Sequence, residues 1–385
     1  MPTATVRILT LILLGCSSTQ AQEPERRALE PGLRIGSIDD PRTSLTAVRD
    51  LAVGPDGAVY VAQPEDARIR VYDRTGRLRR DIGRKGGGPG EFQSIDGLGW
   101  RGDTLWVTDL ASSSISFFHA NGEHIGTHRV QGPLLGVSSR PTPPRALLSD
   151  GVLLGIPLTG AANLPAVPII TMDRGGRLTR TIAELQGMEL LNLRPTIRGH
   201  PGHIQLRHPV PQNSLWALSS ADSGIVVVHR PATSRSGPAH FTVQRITGSG
   251  KTISSRVYRY TPRALSRTRA DEAIRSAPAL RLMSQFMPQA EALQLLRDSI
   301  SLPAFEPPIS ALAVARDGSI WLRREGLGAS QVTWLVLDRD GRIRAMVAAP
   351  ASLRILHIDG DLIWGVEKDE FEVQYLVQFR SRRRG

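Results

Sequence analysis

The side chains able to carry chemistry in this chain are few. Asp50, Asp96 and His357 each stand near the start of a short apolar segment. Carboxylate and imidazole groups converging in threes could cradle calcium or zinc. The corresponding segments 145–148, 204–206 and 310–314 offer apolar or basic residues instead, so the set is incomplete, and polar residues lining a watery channel explain it equally well. His200, His203 and His208 make a second imidazole group. Their spacing is not that of a helical pair four apart, and Pro201 and Pro209 place them in a loop. His119, His124 and His128 flank a turn and read as solvated. Gly248-Ser249-Gly250-Lys251-Thr252 imitates the end of a phosphate-binding loop, but Arg245 stands where another glycine is required, so a hairpin turn is expected. The glycine run 86–90 lacks the lysine and hydroxyl that would hold a nucleotide and reads as a connecting loop. No Gly-x-Ser-x-Gly elbow occurs, and the single cysteine, Cys16, lies in the leader. These residues assign no catalytic, cofactor-binding or metal position, and the balance leans away from an enzyme.

Any such group needs a scaffold and an address. Of 385 residues 40% are hydrophobic, enough for a sizeable core, while 37 Gly and 27 Pro make tight turns more probable than long helices. Residues 1–21 have the layout of a secretory signal peptide: Arg7, an apolar run over 8–14, then small and polar residues. Leu13-Leu14-Gly15-Cys16 resembles a bacterial lipobox, which would make Cys16 a lipid anchor, and Thr19-Gln20-Ala21 resembles an ordinary cleavage site; both processing routes stay open. No later segment has the roughly 18 apolar residues of a membrane-spanning helix. One cysteine excludes an intrachain disulfide and a multi-cysteine zinc site. Export is therefore expected, to the periplasm or outer membrane as a lipoprotein, or as a secreted protein. The net charge of +12 comes almost wholly from arginine, since only Lys85, Lys251 and Lys368 are lysines. Arg68, Arg70, Arg74, Arg77, Arg79, Arg80, Arg84 and Lys85 crowd together, and 380–384 reads as a basic tail. Such density could attract anionic lipid or polysaccharide, but a solvated face is the default reading. Nucleic acid is not expected, because aromatics do not interleave with the basic residues.

A repeat organises the chain. Short apolar strands centred on Tyr60, Trp106, Leu154, Trp216, Trp321 and Trp364 follow the turns Asp56-Gly57, Gly102-Asp103, Asp150-Gly151, Gln212-Asn213, Asp317-Gly318 and Gly360-Asp361. Such pairs supply the positive φ of two-residue hairpins. A further strand and a second turn, at Gly76, Gly122, Gly176, Gly250 and Gly341, complete a four-stranded antiparallel meander. A lone meander cannot cover both its faces, so six copies should pack radially into an all-β six-bladed β-propeller. Residues 22–32 are expected to be a linker and 33–385 the propeller, with 33–38 lending the last blade its missing strand. Apolar spacing over 264–300 fits helices, capped by Ser266 or Thr268 and with Pro288 in the first turn of the second, inserted between the fourth and fifth blades. This insertion is expected to pack its apolar stripe on the blades.

Gly86-Gly87-Gly88-Pro89-Gly90-Glu91-Phe92, followed by Trp106-Val107-Thr108-Asp109 and the strand 114–118, resembles the repeat signature of NHL-like six-bladed propellers of exported bacterial proteins. The resemblance implies the architecture and leaves the activity open, since such rings serve as binding scaffolds or enzymes. The function expected is non-catalytic binding of an envelope protein, peptide or glycan by a monomer that needs no cofactor. The alternative is a calcium- or zinc-dependent hydrolase or lyase at the channel mouth.

Overall fold

Glycines with positive φ close the hairpins that the sequence marks. Gly57, Gly102, Gly151, Gly318 and Gly360 take φ between +57° and +86°, as does Gly76 in a second turn. The computed structural model describes residues 23–383 apart from 38, 41–42, 136–139, 158–165, 188–189, 195, 198–199, 232–237 and 325–329. The leader and Cys16 lie outside the described residues. Four antiparallel blades follow one another: Asp50–Val53, Val59–Gln63, Arg68–Tyr72 and Leu78–Ile82; Ile95–Arg101, Thr104–Asp109, Ser114–His119 and His124–Arg129; Pro144–Leu147, Leu153–Gly155, Ala166–Met172 and Leu178–Gln186; Leu215–Ser219, Gly224–His229, His240–Thr247 and Thr252–Arg259. Two short two-stranded ribbons stand apart, and eight further strands form one sheet. Its fifth meander is Ala311–Val314, Ile320–Arg324, Gln331–Leu337 and Ile343–Pro350. Its sixth is Arg354–Asp359, Leu362–Lys368 and Gln374–Arg383, completed by Glu25–Ile35. The arrangement is that of a propeller.

Six separate four-stranded blades are thus corrected to four separate blades and one double sheet. The cause is the first strand. Glu25–Ile35 pairs antiparallel with Gln374–Arg383 and, over Glu25 to Ala28, parallel with 345–348 of the neighbouring outer strand. The expected linker 22–32 is therefore strand from Glu25 onward. The expected basic tail is strand up to Arg383, where Arg382 meets Glu30 at 3.4 Å and Arg383 meets Glu25 at 3.4 Å.

Packing between neighbouring sheets makes the core. In four of the meanders the large residue of the second strand faces a small one on the inner strand, Tyr60 opposite Ala52, Trp106 opposite Gly99, Leu154 opposite Ala146 and Trp321 opposite Ala313, whereas in the sixth Trp364 faces His357. A Cβ on Gly99 would come within 2.5 Å of the Trp106 ring, which is why that position tolerates no side chain. The fourth copy departs from the expected register. Trp216 lies on the inner strand Leu215–Ser219, and Ile225 belongs to the buried second strand. A 3₁₀ turn at Ser220–Asp222 with Ser223 at φ +44° makes the hairpin instead of Gln212-Asn213.

Residues 204–206, expected on an inner strand, belong to a ribbon in which Ile204–Arg207 pairs with Leu190–Leu193. The insertion holds three helices, α1 (Arg267–Ser276), α2 (Pro278–Met283) and α3 (Gln289–Ser299). Ser266 caps α1, accepting from the Arg269 N–H, and Pro288 stands at the N-cap of α3 rather than within its first turn. The apolar stripe does not pack on the blades. Ile274, Leu280, Met283 and Leu296 bury against Leu191, Leu193 and Leu206 of the ribbon, so the two long insertions share a satellite core. No helix among the described residues is long and apolar enough to cross a membrane.

Candidate functional site

Six inner strands line the axis and contribute to one cavity of about 290 Å³ toward their C-terminal ends. Asp50, Asp96, Arg145 and Arg354, at or next to the starts of four of them, gather at the opposite mouth. Two of these residues sit on β-bulges. The pairing of the second blade skips Asp96, between Ile95 opposite Asp109 and Gly97 opposite Thr108. That of the third blade skips Arg145, between Pro144 opposite Gly155 and Ala146 opposite Leu154. A bulge leaves its extra residue unpaired and re-aims its side chain. Here the two meet: Arg145 Nη1 donates to Asp96 Oδ2 at 2.7 Å, and Arg49 Nη2 donates to Asp96 Oδ1 at 2.6 Å.

Asp50 is recessed beside them. Its two oxygens accept from the Leu51 N–H at 2.9 Å and the Leu98 N–H at 3.3 Å. Burial pushes its carboxyl up to about 6, helped by the Asp96 charge and opposed by those two N–H groups and by Arg354. Arg354 has its own pKa lowered, mainly by burial, and donates to the Val48 carbonyl. Three guanidinium groups thus face two carboxylates. Both oxygens of Asp96 are engaged by arginine, so the electrostatics favour an incoming anion over a cation.

His357 does not join this group. It lies three residues along from Arg354 on the same strand, about 10 Å farther down the axis, and lines the cavity at the other end with Ser149, Ser219 and Arg316. Burial pulls its imidazole down to about 4. The structure therefore brings Asp50 and Asp96 together and leaves His357 apart. Among the described residues no three His, Cys, Asp or Glu side chains converge as a metal site.

The two recessed groups have opposite linkage. Asp50 titrates near 6 folded and near ~3.9 unfolded, so its stabilising contribution is present below pH ~4 and lost as pH rises through 6. His357 titrates near 4 folded and ~6.5 unfolded, so its contribution is present above ~6.5 and lost as pH falls toward 4. Each effect is on the order of 3 kcal/mol. Compared with the unsubstituted chain, Asp50→Asn should gain relative stability as pH rises from 4 to 6, and His357→Gln should lose it, in urea unfolding at stepped pH. Parallel profiles for all three proteins would contradict these assignments.

The other sequence candidates are used by the fold. His208 is buried, its Nε2 3.3 Å from the Ser301 carbonyl and its Nδ1 accepting from the Val210 N–H at 3.0 Å, whereas His203 is exposed. Backbone pairing puts His200 opposite Ile197. The stretch 248–251 is a hairpin turn, with the Thr247 N–H donating to Lys251 at 3.0 Å, and Arg245 is buried in an ion pair with Asp222 at 2.5 Å. Much of the basic cluster of the first blade is paired: Arg68 with Asp66 and Asp81, Arg79 with Asp73, Arg84 with Glu91, and Arg80 with the Asn121 carbonyl. Asp109 is structural too. Its carboxylate accepts four backbone N–H groups, from Gln93, Ser94, Ala111 and Ser112, and ties the link between the first two blades to the second.

Sequence reasoning missed Arg49, Arg145 and Arg354 as site residues. The available signal was a charged residue at or just before the first apolar position of four inner strands, whichever its sign.

No protein-family model matches the chain, and no curated protein matches it. Among solved structures it is similar to a member of the DUF4221 family from Bacteroides vulgatus, at 12% identity over 94% of this chain and 100% of that one, TM-score 0.52. It is also similar to a candidate exported protein from Bacteroides fragilis, at 12% identity over 93% and 96%, TM-score 0.51. Virginiamycin B lyase from Staphylococcus aureus matches at 12% identity over 91% and 98%, TM-score 0.44. At such identities the likeness is one of fold.

Proposed function

We propose that this protein is an exported, non-catalytic binding propeller of the bacterial cell envelope, whose ligand presents an anionic group to Arg49, Arg145 and Arg354 at the axial mouth. The observation that carries the reading is the saturation of Asp96 by two arginines while Arg354 has only the Val48 carbonyl and, beside it, Asp50, whose two oxygens already accept backbone N–H groups. A cation at this mouth would have to displace those arginines, which weighs against the calcium- or zinc-dependent hydrolase or lyase. In this reading the double sheet acts as two of six sectors, as in NHL-like rings, each half giving one inner strand to the axis. Export rests on the leader and on the likeness to the Bacteroides fragilis protein, and lipid on Cys16 would hold the ring at a membrane. The partner is an acidic glycan, or an acidic segment of an envelope protein or peptide, bound by a monomer.

The test is retention of envelope components on the immobilised protein. The unsubstituted chain should retain a partner that is released by salt, because exposed charge pairs are screened. Arg145→Gln and Arg354→Gln should each lower its retention at least tenfold. Equal retention by these variants would refute the assignment of the mouth.

A further inference from the structure

A second cavity lies away from the axis, between the outer strands of the fourth blade and the fifth meander. Its volume is about 340 Å³, within the range of small-molecule sites. One wall is aromatic. The Phe241 and Tyr258 rings stack with centroids 5.1 Å apart and an interplanar angle of 12°, and Tyr260 tilts against Phe241 at 6.2 Å. Leu335 and Ile343 of the fifth meander line it as well. Hydrogen bonding of the Tyr258 hydroxyl to the Gly341 carbonyl at 2.5 Å fixes that ring to the neighbouring sheet.

The rest of the lining comes from the two necks of the helical insertion, 260–263 leaving the fourth blade and 306–308 returning. The necks are zipped together, Leu265 N–H to the Ala304 carbonyl at 3.0 Å and Glu306 N–H to the Arg263 carbonyl at 2.9 Å. Among the described residues Glu306 is the only carboxylate in the lining, and it is already neutralised, by Arg269 at 2.9 Å with Arg263 at 3.8 Å. Arg259 and Arg324 also line the cavity and are exposed, and their guanidinium groups have no hydrogen-bond or ion-pair partner among the described residues. A stacked aromatic wall beside two uncommitted guanidinium groups provides both halves of one recognition chemistry.

We propose that this interblade groove binds a small aromatic anion, one or two fused rings carrying a phosphate, sulfonate or carboxylate, with the rings against the half-buried Tyr258 and Tyr260, which Phe241 backs, and the anionic group between Arg259 and Arg324. The site is independent of the axial mouth. It also gives the insertion a role, since its necks supply part of the walls.

Calorimetric titration with 1-naphthyl phosphate tests this, with inorganic phosphate and neutral 1-naphthol as comparisons. The unsubstituted protein should bind 1-naphthyl phosphate at least tenfold more tightly than either. The double variant Arg259→Gln, Arg324→Gln, whose exposed positions leave folding intact, should lose at least tenfold in affinity at an unchanged melting temperature. Tyr260→Ala should weaken 1-naphthyl phosphate while leaving inorganic phosphate unaffected. Arg145→Gln at the axial mouth should bind like the unsubstituted protein. Undiminished binding by the double variant, equal binding of 1-naphthol, or loss of binding in Arg145→Gln would each overturn the proposal.

Discussion

Ala28→Pro is expected to destabilise the protein by at least about 3 kcal/mol. Ala28 pairs with Ala348 on one side and Arg382 on the other, so it is interior to the eight-stranded sheet. Proline there removes a ladder N–H and pushes its ring into a neighbouring strand. The effect should exceed that of an ordinary surface substitution because Glu25–Ile35 joins the fifth and sixth meanders; without it both present unpaired edges. Glu23→Pro, outside the strand, is the matched control and should leave the urea midpoint unchanged. A protein lacking residues 23–35 should regain cooperative unfolding when a peptide of sequence 25–35 is added. Failure of Ala28→Pro to lower the midpoint would mean that the first strand is dispensable to the ring.

The second large effect is expected at Arg230. This side chain is 2% exposed, and its guanidinium donates to the carbonyls of Asn213, Pro211 and Ile309, with no carboxylate among those partners. Burial lowers its pKa to about 10, still high enough for it to remain charged at neutral pH. The three carbonyls belong to the segments entering the fourth blade and the fifth meander, so one cation ties together the exits of both long insertions. Arg230→Met keeps the bulk and leaves those acceptors without a donor, at about 1–3 kcal/mol each. A total near 4 kcal/mol is expected in denaturant unfolding, with faster proteolysis in 260–309 than in the blades. Arg230→Lys should recover only part, because a single ammonium cannot reproduce the planar fork. A loss below about 1 kcal/mol in Arg230→Met would show that the carbonyls find other donors.

Much of this architecture was legible because hairpins that need positive φ leave Gly, Asp and Asn at fixed offsets from a large apolar residue. The fourth blade was misread where that chemistry is replaced: its first hairpin uses a 3₁₀ turn and Ser223, so the eye falls on Gln212-Asn213 one strand too early. The first strand was cut short at residue 33 because Pro31-Gly32 interrupts the apolar pattern just before it. In the structure the pair is absorbed by an irregularity between Pro31 and Arg34, and pairing continues on both sides. The placement of Asp50 and Asp96 at one mouth was legible from their positions at inner-strand starts. The arginines around them were not, because bulges at Asp96 and Arg145 depend on pairing with a second strand. His357 was grouped with the carboxylates since sequence places it near a blade start without saying how many residues down the axis it lies. The helices were legible from their period, but their partner was not, since a ribbon from another insertion covers them.

The most direct test of the anion-binding mouth is a crystal of the protein soaked in selenate, with the selenium anomalous signal mapped. The account predicts a peak within hydrogen-bonding reach of Arg145 and Arg354. A mouth empty of selenate, together with a calcium or zinc ion held between Asp50 and Asp96 in crystals grown with that metal, would contradict it.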